Sequence, residues 1–330
     1  MTTNRPRVFV TRLIASEAIN RLREEDVVLD LWDDDLPPPP ETLRMRASDA
    51  DALICLLTDR IDESLLDAAP GVRVISNMAA GTDNVDLATA TARGIPVGNT
   101  PGVLTESTAD FTLALLLAAG RRVIEADRYV RDEQWKTWGP RVLLGKDLYG
   151  ATLGIIGFGA IGQAVAKRAR GFDANILYTR RSDAPPPEGL RSAKRVSLPD
   201  LLERSDFVSI HVPLTTATRH MLGERQFASM QEGSILVNTA RGAVIDQPTL
   251  ASALAADPPR PAFAALDVTQ VEPIPTDDPL LRLPNLVLAP HIASAGETTR
   301  RAMANLAVDN LLAGLRGERM PNCANPKVYA

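Results

Sequence analysis

Three residues in the second half of this chain could together supply a proton, a charged partner for it and a seat for an anion. Arg241 stands in Asn238-Thr239-Ala240-Arg241-Gly242, Glu272 in Asp267-Val268-Thr269-Gln270-Val271-Glu272-Pro273, and His291 in Pro290-His291-Ile292-Ala293-Ser294. Each follows a short apolar run (235–238, 264–268, 287–289) that reads as a strand. Each therefore falls just past a strand's carboxyl end, where open α/β sheets bind ligands. An imidazolium is a suitable proton donor near neutral pH. A carboxylate beside it favours the charged form and orients the ring. A guanidinium fork suits a carboxylate and can polarise a carbonyl oxygen. Reducing a 2-oxo acid needs a hydride, a proton for the new hydroxyl and a cation for the carboxylate, so Arg241, His291 and Glu272 fit the last two tasks. Plainer readings exist: an arginine after a strand often forms a surface ion pair, and a histidine is more often structural. Of the three histidines, only His291 is followed by a loop of small residues.

The hydride would come from a cofactor, and a second motif provides for one. Gly157-Phe158-Gly159-Ala160-Ile161-Gly162 is a GxGxxG, a weak signal alone. Its setting strengthens it. Residues 153–156 read as a strand running into the first glycine, and Ile161, Ala164, Val165, Ala169 and Phe172 then recur at helical spacing. A further strand over 175–178 completes a βαβ unit. Gly157 allows the tight turn, Gly159 lets a pyrophosphate approach the backbone, and Gly162 lets helix and strand pack closely. The helix N-terminus offers free N–H groups to phosphate. After the second strand an NAD site carries Asp or Glu, but here the chain reads Thr179-Arg180-Arg181-Ser182. Nothing there repels a 2′-phosphate and two guanidiniums could hold it, so NADP(H) is expected to be preferred, with NAD(H) still admitted. The bland alternative is a solvated basic turn.

These sites need parallel sheets to carry them, and the rest of the chain reads that way. Its 330 residues, 45% hydrophobic and 23% charged, have the composition of a globular protein with two cores. Strand-like runs at 8–10, 53–57, 72–76 and 96–98 alternate with amphipathic stretches at 15–23 and 63–68. Later strands are expected at 153–156, 176–178, 207–212, 235–238, 264–268 and 287–289. Ser197, with Pro199 in the first turn, starts a helix over 198–203. A long helix should begin near 105–107, with Ser107 and Asp110 spaced as a capping box, and continue through the apolar run 111–119. A last helix over 298–315 does not belong clearly to the second sheet. Proline-rich stretches at 36–40, 184–189 and 258–261 mark surface turns. The net charge is −5 without a basic stripe, so no nucleic-acid partner is expected. No signal-peptide pattern and no run of the ~20 apolar residues a membrane span needs is present, so a soluble protein is expected. Cys55 and Cys323 form neither a CxxC pair nor a disulfide framework, which suits a cytoplasmic location, and no metal site is expected.

In combination, the GFGAIG loop and the segments 238–242, 267–273 and 290–295 resemble the D-2-hydroxyacid dehydrogenase family over nearly the whole chain. Within it the sequence is most similar to the glyoxylate/hydroxypyruvate reductases, through Cys55-Leu56-Leu57-Thr58-Asp59, Leu266-Asp267-Val268-Thr269, Glu272-Pro273-Ile274-Pro275-Thr276 and the late stretch 310–318. The resemblance implies two doubly wound parallel-sheet domains. A Rossmann cofactor domain, 101–291, would be inserted in a flavodoxin-like substrate domain formed by 1–100 and 292–330, with a cleft that closes on substrate. It implies Arg241 as substrate anchor, His291 as acid/base and Glu272 as its partner. Asp267 would bind the nicotinamide carboxamide, Thr108 would lie at the nicotinamide end, and Thr239 and Ala240 would line the cofactor. Ala80 and Gly81 would offer backbone N–H groups to the substrate carboxylate, with Leu57 lining the pocket. Relatives often have Val at Ala80 and Gly at Ala293. A homodimer is implied, with Trp135 and Trp138 reaching toward the partner subunit. Arg141-Val142-Leu143 stands where hydroxypyruvate-active relatives can place another tryptophan. Two alternatives remain open: another 2-hydroxy acid, or a dinucleotide-sensing binding protein of the corepressor kind.

Overall fold

A computed structural model describes residues 5–330. The chain divides into two compact units, one running up to Leu104 and including Ala295–Ala330, the other Thr105–Ser294. The first unit contains β1 (Arg7–Val10), α1 (Ser16–Glu24), β2 (Val28–Leu31), α2 (Pro40–Ser48), β3 (Ala52–Cys55), α3 (Glu63–Ala68), β4 (Val74–Asn77), α4 (Leu87–Ala92) and β5 (Val97–Gly98). Its strands pair in parallel in the order β2-β1-β3-β4-β5. That is the flavodoxin-like order. β3 and β4 are buried along their whole length, as strands covered on both faces must be.

The second unit contains α5 (Thr105–Gly120), α6 (Val123–Arg131), β6 (Thr152–Ile156), α7 (Ala160–Ala169), β7 (Asn175–Thr179), β8 (Lys194–Arg195), α8 (Leu198–Arg204), β9 (Phe207–Ile210), α9 (Glu224–Ala228), β10 (Ile235–Asn238), α10 (Gln247–Ala255), β11 (Phe263–Leu266) and β12 (Leu286–Leu288). The chain then returns to the first unit through α11 (Glu297–Leu315). The second sheet is parallel throughout, ordered β12-β11-β10-β9-β6-β7-β8. Strand order reverses between β6 and β9, the switch point where such sheets bind dinucleotides. Alternate residues of each strand feed opposite cores. Leu153, Ile155, Ile235 and Val237 pack with α5 and α7, while Ile156, Val208, Leu236 and Leu266 pack with Leu201, Phe227 and Leu250 from α8, α9 and α10.

The cap of α8 forms as its sequence indicates, Ser197 accepting from Asp200 N. The capping box at the start of α5 does not. The helix begins at Thr105, so Ser107 already lies in its first turn and donates its hydroxyl to Ala293 O at 3.2 Å. Asp110 accepts from Arg168 Nε at 2.6 Å instead of reaching back. Sequence reading also names no element at β2, β8, α2, α4, α6, α9 and α10. Pro40, grouped with a proline-rich turn, is the first residue of α2, where its missing N–H costs nothing. No helix among the described residues is long and apolar enough to cross a membrane.

Candidate active site

The second unit gathers the three candidate reacting residues on loops that follow β10, β11 and β12. Asp267, 1% exposed, organises two of these loops. Its two carboxylate oxygens accept from Ile292 N at 2.7 Å and Ala293 N at 2.8 Å, and its carbonyl accepts from His291 N at 2.8 Å. Three successive N–H groups of the histidine loop therefore end on one residue. They hold His291 at φ 56°, a left-handed conformation that costs a non-glycine residue about 1–3 kcal/mol. His291 Nδ1 lies 2.7 Å from Glu272 Oε2, and Glu272 Oε1 accepts from Thr269 N at 3.1 Å. The histidine and glutamate side chains are 23% and 33% exposed, open enough to meet a small molecule. With Nδ1 turned to the carboxylate, Nε2 is the nitrogen left to exchange a proton. The other histidines differ. Burial pushes His211 down to about 3, so it is neutral, and it pairs with Ser209 Oγ at 2.7 Å. His220 stands exposed beside the 3-10 turn at 242–244, donating its backbone N–H to Ala243 O.

Arg241 is placed by Asn238, fully buried at the end of β10. Asn238 Nδ2 donates to Arg241 O at 2.9 Å and its Oδ1 accepts from Ala240 N at 2.9 Å. The next residue fixes Arg241 against Glu272's loop. A Cβ on Gly242 would fall 1.9 Å from the carbonyl carbon of Thr269, so the two backbones touch directly and only glycine fits. This contact gives Gly242 a function that the motif alone does not reveal. On the other side Thr239 Oγ1 lies 2.9 Å from Thr112 Oγ1, which itself donates to Thr108 O at 2.8 Å. Thr112 has one proton and spends it on Thr108, so Thr239 is the donor to Thr112. Thr108 and Thr239 are thus brought together through a residue that sequence reading assigned to an apolar core run.

The glycine loop fits a dinucleotide. Gly157 takes φ 97°, and a Cβ there would meet His211 O at 2.5 Å; a Cβ on Gly162 would meet Gly157 O at 2.2 Å. A Cβ on Gly159 would meet nothing within 4 Å, which leaves that face of the loop open. Gly159 is also the N-cap of α7 and offers no side chain to its free N–H groups, as a phosphate-binding terminus requires. Ala160 is exposed and Ile161 half-buried. Phe158 turns its ring away from the open face: the ring is 2% exposed and stacks on Tyr178 at 4.0 Å between centroids. Only its backbone can serve the loop.

At the end of β7, Thr179 and Arg180 are half-buried and Arg181 is exposed. The Arg180 guanidinium lies 5.7 Å from the Tyr178 ring centroid, and its Nε and Nη2 are buried without a hydrogen-bond partner among the described residues. Buried donors in that condition suit an anionic ligand. A third arginine, Arg195 on β8, donates to Arg180 O at 3.0 Å and pairs with Asp183. Sequence reading missed it along with its two-residue strand.

Leu57, Ala80 and Gly81 belong to the first unit, on loops after β3 and β4, and are all half-buried. Asn99 Nδ2 donates to Ala80 O at 2.8 Å and Asn77 Nδ2 to Gly81 O at 3.0 Å. Asn84 Nδ2 reaches Leu56 O and Asp59 O, both at 3.0 Å. Asp59, 3% exposed, accepts from Leu56 N at 2.7 Å and Thr11 Oγ1 at 2.5 Å. The resemblance names these loop residues but not the side chains that fix them.

A family model described as "D-isomer specific 2-hydroxyacid dehydrogenase, NAD binding domain" matches residues 113–293. The chain is 53% identical over 328 residues to a glyoxylate reductase of Korarchaeum cryptofilum, spanning 98% of this chain and 97% of that protein. A Thermus thermophilus protein of known structure superposes with a TM-score of 0.90 at 47% identity, covering 96% of this chain and 99% of that one. An NADPH-dependent glyoxylate/hydroxypyruvate reductase from Sinorhizobium meliloti, solved with NADP and malonate, superposes with a TM-score of 0.85 at 32% identity, covering 98% of each chain.

Proposed function

The chain belongs to the D-isomer specific 2-hydroxyacid dehydrogenase family, and on that premise we propose that it reduces glyoxylate, hydroxypyruvate or both to the 2-hydroxy acid, with NADPH preferred over NADH. The observation that carries the reading is the 2.7 Å contact between His291 Nδ1 and Glu272 Oε2, on a loop whose three N–H groups are anchored on Asp267. A bound nicotinamide supplies the hydride. His291 gives its Nε2 proton to the oxygen that becomes the hydroxyl. Glu272 stabilises the imidazolium before transfer and holds the ring afterwards. Arg241 binds the substrate carboxylate and polarises the carbonyl.

The residues fit the cofactor at two places: the open face of Gly159 at the start of α7, and the unpaired Nε and Nη2 of Arg180. The second of these supports the NADPH preference. Asp267 toward the carboxamide, Thr108, Thr239 and Ala240 along the cofactor, and Leu57, Ala80 and Gly81 on the substrate side belong to the same reading. So does a homodimer in which Trp135 and Trp138, 59% and 79% exposed, meet the partner subunit. A reducing, cytoplasmic setting is in keeping with two free cysteines.

The experiment follows nicotinamide absorbance while the purified protein meets glyoxylate or hydroxypyruvate, with NADPH and NADH side by side. The expected result is faster oxidation of NADPH, lost selectively in Arg180→Ala/Arg181→Ala. Equal loss with both cofactors, or none, would overturn the cofactor assignment. No turnover of either acid would overturn the substrate assignment.

A further inference from the structure

Next to the glutamate loop, a buried amide joins three segments. Gln247 is the first residue of α10 and is 8% exposed. Its Oε1 accepts from Gln270 N at 2.8 Å, and its Nε2 donates to Asp278 Oδ2 at 2.7 Å. Asp278 is itself held, its Oδ1 accepting from Leu280 N at 2.9 Å. Gln270 follows Thr269, whose N–H binds Glu272 Oε1 and whose carbonyl carbon presses on Gly242. Gln247 thus ties the helix that follows the Arg241 turn to the loop that aims Glu272 at His291.

We propose that Gln247 is a positioning residue for the Glu272–His291 pair, acting through the backbone of Gln270. The inference rests on the reading of that pair as the proton-transfer group. Its physical basis is polarity. One side chain must accept on one end and donate on the other, because a backbone N–H faces it on one side and a carboxylate on the other. An amide does both while neutral; a carboxylate can only accept. Held between the two partners, the amide ties the backbone at Gln270 to Asp278 through one accepted and one donated bond.

Reversing the polarity tests this. Gln247→Glu keeps the acceptor for Gln270 N but sets two carboxylates at hydrogen-bond distance. They either separate, dragging the loop, or share a proton. We expect kcat to fall roughly ten- to a hundredfold, the scale on which a misplacement of about 1 Å acts, with smaller changes in KM for NADPH and the 2-oxo acid. The ratio of variant to wild-type kcat should rise as pH falls, since a shared proton restores the bridge. Adding Asp278→Asn should restore kcat at neutral pH. In that double variant the new amide at position 278 donates to the new carboxylate at position 247, while the amide oxygen still caps Leu280.

Recovery in the double variant, with kcat and thermal midpoint returning together, supports the proposal. Unchanged kcat in Gln247→Glu overturns it, as does a double variant that regains its thermal midpoint but not kcat. Gln247→Ala, which removes both bonds without adding charge, keeps the test usable if Gln247→Glu fails to fold: it should lower kcat with no recovery at low pH, and full wild-type kcat would count against the proposal. His291→Ala in the same assay separates the two ideas. If it retains wild-type turnover the proton-transfer reading itself fails; if it is inactive while Gln247→Glu is normal, only the present inference fails.

Discussion

Two buried carboxylates, one in each unit, show how similar folds hold their loops for different ends. Asp59 follows β3 and Asp267 follows β11, and both are nearly inaccessible at 3% and 1%. Asp59 uses a single oxygen, Oδ2, for Leu56 N and the Thr11 hydroxyl. Asp267 divides its two oxygens between Ile292 N and Ala293 N, the residues that follow a histidine in a strained conformation. A carboxylate that serves two N–H groups with two oxygens has no neutral replacement of the same shape, whereas one that uses a single oxygen does. Tolerance to the loss of charge therefore differs between two groups that burial alone would rank as equals.

The larger effect should come from Asp267→Asn. One of the two N–H groups then faces an amide NH2, and an unsatisfied buried donor costs about 1–3 kcal/mol. We expect a lowered unfolding midpoint together with a large loss of kcat, because the loop carrying His291 loses its anchor. Retention of both would mean that the loop is held elsewhere and would break the comparison.

Asp59→Asn should fold and act close to normally, since an amide oxygen can stand where Oδ2 stands. Its signature is in pH. Burial raises the Asp59 carboxyl above its ordinary 3.8, against the lowering effect of Leu56 N–H, the Thr11 hydroxyl and Arg12. Below 3.8 the group is neutral folded or unfolded and costs the fold nothing. As pH rises through the elevated folded value, ionisation favours the unfolded chain, so wild-type stability falls relative to the variant. Unfolding midpoints measured over a pH series should therefore move in favour of Asp59→Asn with rising pH. A gap that stays constant or narrows would contradict the assignment of burial as the dominant influence.

Much of this architecture is legible in the chain because parallel strands buried on both faces are mostly apolar, as at β3, β6, β9 and β10, where Thr152, Ser209 and Asn238 are the polar exceptions. β8 escapes that rule with two exposed basic residues, and β2 with an aspartate at a sheet edge. Arg241, Glu272 and His291 could be found because each follows a strand end. Their supports could not. Gly242 against Thr269, Thr112 against Thr239 and Gln247 against Gln270 are contacts between segments far apart in sequence, and local spacing carries no trace of them. The misread capping box makes the same point. Ser107 and Asp110 have the right separation, but their partners, Ala293 and Arg168, come from elsewhere in the fold.

The central claim is that His291 delivers the proton to a 2-oxo acid. Its direct test is the rate of NADPH oxidation by glyoxylate, measured for the wild type and for His291→Ala under saturating substrate. The account predicts turnover in the wild type and a fall in kcat of about 10²–10⁴-fold in the variant, with NADPH binding by fluorescence titration retained. Wild-type kcat in His291→Ala would contradict it.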